Sequence, residues 1–135
     1  MSWQSVIILV PEGQRASLEA RFHGLDLNPD PVTGAERPPH QDGYAHCFDL
    51  SGHVLTDYAP EKLAEVRDRI GAPYAALVEY PSVDAARTVL RRVLPGVHGL
   101  VDTDHHEILR ADDFLTLLDR FPDWDWHHRP STELL

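Results

Sequence analysis

The sequence predicts a single α/β domain (α+β mixed): a mixed β-sheet with a parallel β-α-β crossover over residues 74–102, two hairpins, and helices packed on the sheet. Three observations carry this reading. Two short apolar runs, at 74–80 and 97–101, flank an amphipathic segment at 83–94, the order of strand, crossover helix and strand. A β-branched run at 4–10 supplies a further strand. At 135 residues and 42% apolar, the chain is long and apolar enough to bury a core of its own.

Taken in order, residues 4–10 (QSVIILV) end at Pro11, Glu12 and Gly13, a strand stopped by a turn. Leu18, Phe22 and Leu25 space a short helix over 14–22, closed by Gly24. Residues 26–44 hold four prolines and two glycines without apolar periodicity, which predicts one long Pro-rich surface loop. Its opening imitates a calcium loop, but Pro31 and Arg37 stand where Gly and Glu are needed. Residues 45–50 and 53–56 on either side of Ser51 and Gly52 predict the first hairpin. Pro60 opens a helix with Leu63, Val66 and Ile70 inward and Gly71 at its C′ position.

The run at 74–80 is apolar on both faces, as in a strand covered on both sides. Ser82 is a suitable N-cap for the next helix, whose Val83, Ala86, Val89, Leu90, Val93 and Leu94 should face the sheet. A turn at 102–106 then reverses the chain into a strand at 107–110, the second hairpin. The last helix carries Asp112 and Asp113 in its first turn, where the helix dipole favours carboxylates, and buries Phe114, Leu117, Leu118 and Phe121. Pro122 ends it, and 122–135 form an irregular tail with Trp124 and Trp126 as anchors.

Charge narrows the functional classes. The net charge is −10, and residues 101–135 contribute nine acids against three bases. Such a surface repels phosphate backbones and attracts cationic partners, so nucleic acid is not an expected ligand. The N-terminal apolar run lacks a basic flank and is broken by Pro11, too short for a signal peptide or a membrane span; the cytoplasm is the expected location. A single cysteine, Cys47, within the run AHCFDL, reads as a buried inert thiol rather than a nucleophile.

Two constellations deserve weighing. Asp102, Thr103, Asp104, His105, His106 and Glu107 bring ligand-type side chains together, and a metal reading uses Asp102, Asp104, His105 and His106 with His128 from the tail. Against it, consecutive residues on one turn cannot all point at one ion, and Asp in turns commonly binds its own backbone. No G-x-S-x-G elbow, phosphate-cradling loop or H-E-x-x-H motif is present, so neither a cofactor nor an enzyme activity is expected. The remaining signal is an acidic face of Asp102, Asp104, Glu107, Asp112, Asp113, Asp123 and Asp125, with Trp124 and Trp126 among them, suited to binding a basic protein. Alternation in W-D-W places both rings on one side, which fits an interface and a core equally.

Across 74–126 the order L-V-E-Y, Ser82, a crossover helix, V-D-T-D-H, I-L, D-D-F and P-D-W-D-W resembles small actinobacterial α/β proteins, some of them similar to immunity proteins of polymorphic-toxin systems. The resemblance implies an inhibitor that neutralises a cognate cationic toxin, such as a nuclease, by covering its active or binding site.

Overall fold

The computed structural model describes residues 4–25, 28–29, 36–37, 47–80, 82–104 and 107–134. Its strands are β1 (Gln4–Pro11), β2 (Asn28–Pro29), β3 (Glu36–Arg37), β4 (Cys47–Asp49), β5 (Pro73–Tyr80), β6 (Leu100–Asp102) and β7 (Ile108–Arg110). Its α-helices are α1 (Arg15–His23), α2 (Pro60–Ile70), α3 (Val83–Val93) and α4 (Ala111–Arg120). Five strands form one sheet in the order β4-β5-β1-β6-β7, and β2 pairs with β3 apart from it.

The centre of the sheet is β1, whose Val6 to Val10 are all buried. It pairs along its whole length with β5, from Gln4 opposite Tyr80 to Pro11 opposite Pro73. On its other edge Ile7, Ile8 and Leu9 pair with Asp102, Val101 and Leu100. Alternation sends Val6, Ile8 and Val10 to one face and Ile7 and Leu9 to the other. The first face carries α1, α3 and α4, through Leu18, Phe22, Val89, Leu90, Phe114 and Leu118. The second is covered by α2, through Val66 and Ile70, and by the turn of 3-10 helix at His53–Asp57. A strand apolar on both faces thus finds helices on both.

This arrangement corrects the expected parallel pairing. Strands β5 and β6 run in the same direction and are joined through α3, but they do not touch: β1 lies between them, antiparallel to both. The connection is a split β-α-β, and every pairing in the sheet is antiparallel. The cause is the length and apolarity of β1, which needs a partner on each edge and a cover on each face.

The first expected hairpin is also corrected. Residues 53–57 form a 3-10 helix rather than a strand, and β4 pairs with β5 instead. Turn chemistry decides this: the Asp49 carboxylate accepts the Ser51 amide at 2.9 Å and its hydroxyl at 2.6 Å, while Ser51 Oγ accepts the His53 amide at 3.2 Å. The Ser51 hydroxyl, then its amide, hold the Asp49 carboxyl below its ordinary range. The second hairpin forms as expected, with β6 and β7 paired from Leu100 opposite Arg110 to Asp102 opposite Ile108.

Local signals at the helices act as read. Pro60 opens α2 and Gly71 follows it with φ of 80°. Ser82 Oγ accepts the Ala85 amide at 3.2 Å at the start of α3. The expected loop over 26–44 lies largely outside the described residues, as does the side chain of Cys47. Among the described residues no helix is long and apolar enough to cross a membrane.

Candidate functional site

The end of β6 is where polar side chains meet the core. Asp102 is the last residue of that strand and is only 2% exposed. Burying a carboxylate costs several kcal/mol unless its oxygens find donors. Here they do. Oδ2 accepts the Tyr58 hydroxyl at 2.6 Å and lies 2.7 Å from Lys62 Nζ, while Oδ1 accepts the Asp104 amide at 2.8 Å. Tyr58 follows the 3-10 helix and Lys62 stands in the first turn of α2, so three separate elements converge on one carboxylate. The ammonium also sits 4.6 Å from the centre of the Tyr58 ring. Burial, then the bond to Asp102, pushes the Tyr58 hydroxyl far above its ordinary range, so it stays a donor.

Beyond Asp102 the chain turns through Asp104, a non-glycine residue with φ of 66°. Asp tolerates this left-handed conformation better than most residues, and its side chain is held by Ser5 Oγ at 2.9 Å. Asp104 is exposed and, with Ser5, Asp57, Tyr58 and Lys62, borders an open cleft of about 410 Å³ floored by Ile7 and Leu77. The charge balance of this cleft is specific. The positive charge of Lys62 is taken up by buried Asp102, which leaves the exposed carboxylates of Asp57 and Asp104 to set the sign of the rim. The rim of the cleft therefore carries two exposed carboxylates and no unpaired lysine.

The nine acidic and aromatic positions read from the sequence as one binding face are divided by the fold. Trp124 and Trp126 are 2% and 1% exposed and belong to the core, so they offer no surface to a partner. Their rings lie 5.9 Å apart and pack on Phe114 at 5.5 and 5.3 Å. Trp126 Nε1 donates to the Tyr80 hydroxyl at 2.8 Å, and Trp124 Nε1 to the Arg129 carbonyl at 2.8 Å. The inside is chosen because both indole N–H groups find partners there. Asp102 likewise is an internal ion-pair partner rather than a surface charge.

Of the exposed or half-exposed acids, Glu107 is committed to Ser131, whose hydroxyl donates to Oε2 at 2.7 Å and ties the tail to the β6–β7 turn. Asp112 and Asp113 open α4 at the end of the β6–β7 pair where Leu100 faces Arg110, whereas Asp104 lies past the opposite end of β6. Asp112 Oδ2 accepts from Arg110 at 3.0 Å. Asp125 is half-buried, accepting the His127 amide at 2.9 Å with His128 Nε2 3.7 Å away, and Asp123 is exposed. Asp112 and Asp113 are therefore separated from Asp104 by the length of β6.

For the metal reading, His105 and His106 lie outside the described residues. Among the described residues no three His, Cys, Asp or Glu side chains gather as a metal site, and both Asp102 oxygens are taken by protein donors.

Sequence reasoning missed Tyr58, Lys62, Ser5 and Asp57. One signal was available: Lys62 is the only lysine in a chain with eleven arginines. No family model, no curated protein and no solved structure matches this chain.

Proposed function

We propose that this chain is an acidic protein-binding module of the immunity-protein type, acting in the cytoplasm to cover the active or binding site of a basic toxin. The observation that carries the reading is the cleft at Asp57 and Asp104, whose own cation is already neutralised by Asp102. An arginine or lysine of a basic partner fits that rim, with apolar Ile7 and Leu77 beneath to take its alkyl stem. The net charge of −10 adds long-range attraction and speeds encounter.

The test is to capture the partner from the native host and measure its activity and its affinity for wild type and for Asp57→Asn/Asp104→Asn. The double variant should lose about tenfold or more in affinity, as expected for desolvated charge-assisted contacts. It should also show a weaker dependence of association rate on salt. Equal binding of the double variant would remove the cleft from the interface. A captured partner whose activity survives stoichiometric addition of the protein would end the inhibitor reading.

A further inference from the structure

A second cavity lies at the other end of the sheet, where β6 begins, α2 ends and α4 starts, and it carries the opposite charge. We infer that this pocket binds a small amphipathic carboxylate. Its volume is about 420 Å³, within the range of small-molecule sites, and apolar Ile70, Leu94 and Leu115 line it. Two guanidiniums reach it from different elements. Arg69, in the last turn of α2, is steadied by donating to the Ile108 carbonyl at 3.2 Å. Arg110, at the end of β7, donates to Asp112 at 3.0 Å. Each guanidinium donates to one of these protein acceptors and carries further N–H donors for a ligand.

Charge selects the ligand class. Two arginines against the single carboxylate of Asp112 make the pocket net positive, in a protein whose net charge is −10. Planar guanidinium forks match a carboxylate, and the apolar lining calls for a hydrocarbon body attached to it. The pocket is also preformed on one wall, since Gly99 packs so tightly on β1 that an added Cβ would stand 2.2 Å from the Leu9 carbonyl oxygen. This inference is independent of the cleft at Asp104, which lies past the opposite end of β6.

Octanoate is the probe, titrated into the full chain and followed by calorimetry and amide chemical shifts, with octanol and acetate as controls. Saturable one-site binding is expected for octanoate, with shifts centred on Ile70, the 96–99 segment and Leu115. The substitution R110Q should weaken it about tenfold, the worth of a charge-assisted contact. Arg110 is two-thirds exposed, with a side-chain accessibility of 66%, so the variant keeps its fold. R69Q should act in the same direction, and the circular dichroism of both variants should match wild type. No saturable octanoate binding would overturn the inference. So would octanol binding as tightly as octanoate, or R110Q leaving the affinity unchanged.

Discussion

The ammonium of Lys62 lies 2.7 Å from the buried carboxylate of Asp102, and the Tyr58 hydroxyl shares the same oxygen at 2.6 Å. This contact joins the first turn of α2 to the last residue of β6, across the face of the sheet that α2 covers. It holds the helix in place and, by absorbing the only lysine, makes the adjoining cleft acidic.

Removing one partner of such a pair leaves the other charge short of a counter-ion. Lys62→Met should destabilise the protein by about 2–4 kcal/mol, somewhat less than for a fully buried pair, because the lysine is itself 34% exposed. Asp102→Asn should cost a similar amount. The double variant should lose less than the two single losses together, with a coupling of about 1 kcal/mol or more. Urea midpoints of the four proteins measure this, and strict additivity would show that the contact contributes nothing to the fold.

Gly99 has no room for a side chain. An added Cβ would meet the Leu9 carbonyl oxygen at 2.2 Å and Val10 Cγ1 at 2.9 Å, so Gly99→Ala must push β6 away from β1. A loss of about 3 kcal/mol is expected, as for an overpacked core. Gly13, with nothing within 4 Å of its Cβ position, is the control and should change stability by about 0.5 kcal/mol or less. Equal thermal midpoints for the two variants would contradict the close approach.

Alkaline pH should unfold the protein in a definite window. Burial pushes the Tyr74 hydroxyl up to about 12, from an ordinary 10.0, while it donates to the Leu50 carbonyl at 2.6 Å. Because the folded value is the higher one, the stabilisation is complete below pH 10 and falls as pH rises toward 12. Tyr74→Phe should therefore be less stable at neutral pH, through the lost hydrogen bond, yet show a shallower decline between these two values. Chemical denaturation at a series of pH values checks the slope, and identical slopes for the two proteins would rule the assignment out.

Much of the helical architecture could be read from residues alone, because capping and periodicity are local. Pro60, Gly71 and Ser82 mark helix ends through their own backbone geometry, and the inward stripe of α3 follows from spacing. Strand neighbours could not be read in the same way. Which strand lies beside β5 depends on a competition among all edges, and β1, apolar on both faces, took the place that a local reading assigned to β6. Ser51 and Asp49 similarly overrode an apparent hairpin through side-chain bonds that hydrophobic pattern does not encode.

By itself the sequence determined the α/β class, the helix boundaries, the uneven acidic charge and the placement of both W-D-W rings on one side. Only the tertiary structure decided that those rings turn inward, since the choice rests on Tyr80 and the Arg129 carbonyl standing ready for their N–H groups. It alone decided that Asp102 is spent inside, because its partners Tyr58 and Lys62 lie far earlier in the chain, Tyr58 at a separation of 44 residues. Composition counts charges, but which of them face solvent depends on the partners that folding brings within about 3 Å, the reach of a hydrogen bond.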